Sequence, residues 1–171
     1  MKKLIVCLLL GLSTASVAGE VAELYKKSGD HSFTLVDALP STSNGVTEVG
    51  MERTSCFGTC PVYSVIIERD GTFRYDGGRY APKAGQWTGH VRKWDLDNLT
   101  AFICDTDYMK LASHYEIGYT DSPTAYTTVI TDGKRKIISN YADAGPIKLW
   151  AIQQLIDKLL LEATWDPVKK P

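Results

Sequence analysis

The sequence of 171 residues has the length of one domain, with 44% apolar residues, 23% charged residues and a formal charge of −1. That is ordinary globular composition, which argues against a disordered or fibrous chain. The near-zero charge gives no reason to expect nucleic acid or an anionic membrane surface as partner.

The first residues read as an export signal. Lys2 and Lys3 form a basic start, and Leu4 to Leu12 an apolar core too short to span a bilayer as a stable helix. Ser16-Val17-Ala18 supplies the small residues that a signal peptidase reads. Residues 1–18 are therefore expected to be removed near Ala18. The mature chain would then lie in the periplasm or outside the cell, without a transmembrane segment.

Residues 19–45 read as an N-terminal extension and linker. Val21, Leu24 and Tyr25 fit one turn of a short helix, Phe33 and Leu35 alternate like a short strand, and Pro40 to Gly45 is rich in turn residues. The main domain is expected over 46–162. Its first strand runs from Val46 to Thr54, with Gly50 as a candidate bulge.

The least ordinary stretch follows: Arg53-Thr54-Ser55-Cys56-Phe57-Gly58-Thr59-Cys60-Pro61-Val62-Tyr63. Gly58 suits a bend, and Pro61, which lacks an N–H, suits the first residue of a strand. From Tyr63 to Tyr75 the chain is apolar and β-branched except at Arg69-Asp70-Gly71. A two-residue turn would split the apolar face. A three-residue turn with Gly71 left-handed sets Ile67 against Phe73 and Val65 against Tyr75, and unites that face. The bulged turn is the expectation. Gly77 to Gly85 is then a glycine-rich loop, and Gln86 to Arg92 a fourth strand.

Asp95 reads as the N-cap of a helix through Asp105, with Leu96, Leu99, Phe102 and Ile103 as its apolar stripe. Tyr108 to Asp121 has no clear period. A second hairpin spans Thr124 to Tyr141 and turns at Asp132-Gly133, its register left open by threonines and lysines on both faces. Pro146 suits the first position of a last helix, whose stripe is Leu149, Ile152, Leu155, Ile156, Leu159 and Leu160. Residues 163–171, with two prolines, are expected to fray. The order of elements predicts an α+β domain: an antiparallel sheet built from two hairpin regions and packed on one face by two helices.

The run of Arg53, Cys56-Phe57-Gly58, Cys60-Pro61 and Tyr63, followed by the Asp70-Gly71 hairpin, resembles the signature of a bacterial family of exported domains of unknown function, marked by CFGxCPxY. The likeness extends from about Val46 to Leu161 and includes, less distinctively, Asp121, Pro123, Thr124 and Tyr141. The resemblance implies an exported or envelope-associated α+β module, and carries over no catalytic residue.

Chemistry is sparse. Cys7 would leave with the signal, and any one bridge among Cys56, Cys60 and Cys104 leaves a different thiol over. A bridge to Cys104 would gain about 4 kcal/mol of chain entropy, and Cys56–Cys60 about 2 kcal/mol, so geometry must decide. The expectation is a structural Cys56–Cys60 bridge, with Cys104 a buried small hydrophobe beside the helix stripe. A redox pair would more usually be C-x-x-C at a helix N-terminus; here three residues intervene and a strand follows. His31, His90 and His114 show no metal-ligand spacing to the cysteines, and no phosphate-cradling or nucleophile-elbow pattern occurs. No metal or cofactor is called for. Arg53, Tyr63, Asp121 and Tyr80 are the candidate binding residues, for an unknown protein or small ligand. Trp87 and Trp94 are expected to pack against the sheet. The reading is a non-catalytic binding or structural module of the cell envelope; the alternative is a thiol-disulfide redox protein or unrecognised enzyme using Cys56 and Cys60.

Overall fold

The computed structural model describes residues 26–27 and 45–168. The chain divides into two units, 1–37 and 38–171. Of the first, Lys26 and Lys27 are described, as helix. The signal, its cleavage point, the Phe33–Leu35 strand and most of the linker lie outside the described residues.

The second unit is α+β. Its elements are β1 (Val46–Arg53), β2 (Tyr63–Glu68), β3 (Thr72–Gly77), β4 (Gly85–His90), α1 (Lys93–Asp105), β5 (His114–Tyr115), β6 (Thr124–Thr131), β7 (Lys134–Tyr141), α2 (Ile147–Leu161) and β8 (Thr164–Pro167), with a short 3-10 turn at Tyr108–Lys110. One eight-stranded sheet runs β5-β7-β6-β1-β2-β3-β4-β8. Every pairing is antiparallel except β5 with β7.

The β2–β3 pairing follows the apolar pattern. Ile67 faces Phe73 and Val65 faces Tyr75, and all four are buried. Gly71 turns the chain at φ +91°, and its amide donates to the Glu68 carbonyl. At the second hairpin Asp132 and Gly133 both have positive φ, as a two-residue turn of the primed type needs. This sets Thr127 against Ile138 and Ala125 against Asn140. One buried cluster joins the inner face of these strands with Leu96, Leu99 and Ile103 of α1 and Leu149, Ile152, Ile156, Leu159 and Leu160 of α2. Each such side chain contributes roughly 1.5–3 kcal/mol.

Several expectations are corrected. Residues 164–167 are not a frayed tail: they form β8 against β4. Pro167 is tolerated there because an edge strand has one unpaired side. Asp95 does not cap α1. The cap is Arg92, and Asp95 in the first turn accepts the Arg92 guanidinium at 2.5 Å. Pro146 stands just before α2 with extended ψ, its carbonyl taking the first helical bonds. Gly50 is no bulge; the irregularity lies between Val46 and Glu48. A Cβ on Gly50 would fall 2.5 Å from Ile66 Cδ1 and 2.8 Å from Thr128 Cγ2, so glycine lets its neighbours' side chains close over β1. Cys104 is exposed on α1, and Trp94 is also exposed. Trp87 packs against the core as expected.

A polar ladder crosses the core. Asn140 donates to Gln153 Oε1 at 3.1 Å, Gln153 donates to Thr127 Oγ1 at 3.0 Å, and Tyr108 donates to the Thr127 carbonyl at 2.7 Å. Asn140, Gln153 and Thr127 are wholly buried. A buried amide is tolerated only when paired, so the ladder ties α2 to β6 and β7 in one register.

Candidate functional site

The end of β1 and the start of β2 place Arg53 directly opposite Tyr63 on adjacent strands. Both reach Asp157, four residues after Gln153 on α2. Arg53 binds it as a fork, Nε to Oδ1 at 3.3 Å and NH2 to Oδ2 at 2.6 Å, and the Tyr63 hydroxyl donates to Oδ1. The Arg53 side chain is 14% exposed and that of Asp157 31%. Two of the expected binding residues are thus brought together, on a carboxylate that sequence reading missed. Arg53 and Asp157 lie 104 positions apart. The available signal was helical phase: Gln153 and Asp157 continue the line of Leu149 on the buried side of α2.

Burial alone would lower the Arg53 pKa, but the hydrogen bonds and charge of Asp157 outweigh it and raise it. Tyr63 is raised far above its ordinary value of 10.0, first by burial and then by the Asp157 charge and hydrogen bond. The folded state therefore holds the Tyr63 proton more tightly than the unfolded chain does. Its contribution is whole below about pH 10 and is lost as pH rises further. We expect Tyr63→Phe to cost about 1–2 kcal/mol at neutral pH and to flatten the alkaline fall, measured by urea unfolding across pH. Neighbouring Tyr75 stacks on Tyr63 with ring centres 5.4 Å apart, and its hydroxyl is buried against the Lys83 backbone. Tyr75→Phe is expected to cost less than about 1 kcal/mol, because its hydroxyl meets only the Lys83 backbone and no side chain depends on it.

The disulfide loop leaves this cluster and returns to it. Cys56 and Cys60 are bridged, with Cα atoms 5.7 Å apart. Pro61 leads into β2, not into a helix. The loop is pinned outside the bridge: the Phe57 amide donates to the Asp121 carbonyl at 3.0 Å, and the Thr54 amide to the Thr124 carbonyl at 3.0 Å. Asp121 thus serves through its backbone, at φ +63°. On the other side Val62 exchanges backbone bonds with Gly78 and Arg79. Tyr80, 54% exposed, lies next in that loop under the Arg79 guanidinium, 5.2 Å from its ring centre. The structure does not place Tyr80 or the Asp121 side chain in contact with Arg53 or Tyr63. An open depression of about 330 Å³ lies beside Arg53 and Tyr63, lined also by Glu52, Ser64 and Asp76.

Phe57 at the tip of the clamped loop is 93% exposed, and Tyr119 in the loop joined to it is 65% exposed. With Tyr80 they form an aromatic-bearing rim at one end of the sheet. Phe57 stood inside the cysteine run without being singled out, because sequence does not tell a loop tip from a loop anchor. Among the described residues no group of three His, Cys, Asp or Glu side chains could hold a metal ion. No described helix is long and apolar enough to cross a membrane.

No curated protein matches the chain. The family model of a domain of unknown function, DUF6438, matches residues 47–160. The chain belongs to that family.

Proposed function

We propose that this protein is an exported, non-catalytic binding module of the cell envelope, and that the disulfide-clamped loop is its docking element. The observation that carries this reading is the exposure of Phe57. A large apolar ring held in water by a covalent clamp costs solvation and stabilises nothing in its own fold, whereas a pre-ordered aromatic on a rim loses little entropy when a partner covers it. Arg53, Tyr63 and Asp157 serve as the base of that element: they fix the strand ends from which the loop springs. The run Cys56-Phe57-Gly58-Thr59-Cys60-Pro61-Val62-Tyr63 is, on this reading, the family's docking signature in bacteria. The charged N-terminus and the small residues before Gly19 support export, and an oxidising compartment suits the bridge.

The thiol-redox alternative requires a thiolate stabilised by a helix N-terminus or a nearby cation, and the pair instead precedes a strand. The test is site-specific photo-crosslinking in producing cells. A photoreactive phenylalanine at position 57 is expected to capture a discrete partner, and one at Lys134, at the opposite end of β6 and β7, is not. Mature protein is expected to begin at Gly19. Equal capture from both positions, or none from position 57, would remove the docking role.

A further inference from the structure

The sheet has a second face, opposite the helices' cluster, on which Glu52, Ser64, Ile66, Asp76, Tyr126 and Ile137 lie by strand alternation and register. Among the described residues this face is open to solvent: Tyr126 is 40% exposed and Ile137 51%. Two adjoining depressions mark it, about 490 Å³ toward β6 and β7 and about 450 Å³ toward β3 and β4. Both share Ser64 and Ile66, so they read as one groove running across the strands. Gly50 deepens its floor, since any side chain there would collide with Ile66.

Charge decides what fits. Two arginines lie on this face, Arg135 paired with Glu48 at 2.7 Å and the exposed Arg74, opposite Ile66, 3.7 Å from Glu68; they stand against four carboxylates, Glu48, Glu68, Glu52 and Asp76. Glu52 and Asp76 flank Ser64 on either side in direct cross-strand register, and both are exposed. Neither has an ion pair among the described residues. The groove therefore combines an apolar floor at Ile66, Tyr126 and Ile137 with two uncompensated carboxylates at its rim.

We propose that this face is a second docking surface, which meets the depression beside Arg53 and Tyr63 at Glu52, Ser64 and Asp76, and that it takes a basic, partly apolar segment of a partner protein in polyproline II form. Glu52 and Asp76 stand two strands apart, about 10 Å. Lysines three residues apart on a polyproline II segment, with three residues per turn and a rise of about 3.1 Å, point the same way about 9 Å apart. The residues between them would then lie over Ser64, with Ile66 two residues along β2 and Tyr126 beyond Glu52. Phosphate-rich partners are disfavoured by the same two carboxylates.

The test uses the full chain and two synthetic peptides: one with lysine at every third position and proline or tyrosine between, the other with glutamate in place of lysine. Titration is followed by amide chemical shifts and by calorimetry. The lysine peptide is expected to bind saturably, with shifts centred on Ser64, Ile66 and Thr128, and the glutamate peptide is not. The double variant E52Q/D76N keeps side-chain shape at exposed positions, and is expected to weaken binding about tenfold, as is raising salt to about 0.3 M. Absence of binding, equal binding of both peptides, undiminished binding by the double variant, or shifts centred on the disulfide loop would each overturn the proposal. So would binding of a neutral oligosaccharide in place of the lysine peptide.

Discussion

Asp157→Ala is expected to lower the free energy of unfolding by about 3 kcal/mol. The removed carboxylate satisfies two groups at once, the Arg53 guanidinium and the Tyr63 hydroxyl. With its side chain 14% exposed, Arg53 cannot recover full hydration, and an uncompensated charge at that depth is the costly outcome. Asp157→Asn keeps the shape and one acceptor and is expected to cost less, about 1–2 kcal/mol. Adding Arg53→Met to Asp157→Ala should return part of the loss, because the stranded charge goes too. Urea unfolding followed by tryptophan fluorescence reads all three as shifts in midpoint at constant slope. A loss below about 0.5 kcal/mol for Asp157→Ala would mean that the cluster behaves as an ordinary surface ion pair.

Trp165→Ala, in the last strand, is expected to cost about 2–3 kcal/mol. Trp165 meets the rings of Phe73 and Tyr75 edge-on at 4.9 Å each and that of Trp87 at 6.4 Å, and the Lys83 ammonium lies 5.5 Å from its centre. Gly89 carries the same dependence from the other side. A Cβ there would sit 2.1 Å from the Thr164 carbonyl, so Gly89→Ala must push β8 off β4 and is expected to lose a comparable amount. Ending the chain at Glu162 should do the same, and near-ultraviolet circular dichroism should show the loss of the aromatic cluster. Unchanged stability on truncation would return residues 163–171 to the role of a tail.

The elements that could be read in advance were those whose signal is local and periodic. The β2–β3 register followed from alternating apolar residues and one glycine, because only a three-residue turn unites the buried face. The apolar stripes of both helices were legible for the same reason. The last strand was not: Thr164 to Pro167 has too few apolar residues to alternate, and its stability comes from Trp165 inserting among rings contributed by β3 and β4. The register of the second hairpin was hidden because Thr127 and Asn140 face the core, where Gln153 pairs with both. Half of the site was visible as Arg53, Tyr63 and the cysteine run. Asp157 was hidden inside a helix whose leucines dominate its pattern. Asp121 matters through its carbonyl, which side-chain chemistry does not announce.

On the proposed function, the Cys56–Cys60 bridge is a staple that presents a docking loop and does not turn over. The test is differential thiol alkylation with mass readout, on protein recovered from the cells that make it and equilibrated across a series of glutathione buffers. Label is expected on Cys104, with a Cys56–Cys60 bridge that persists to potentials below about −300 mV. A bridge that opens between about −120 and −270 mV, where dithiol oxidoreductases work, would make Cys56 and Cys60 a reactive pair and contradict it.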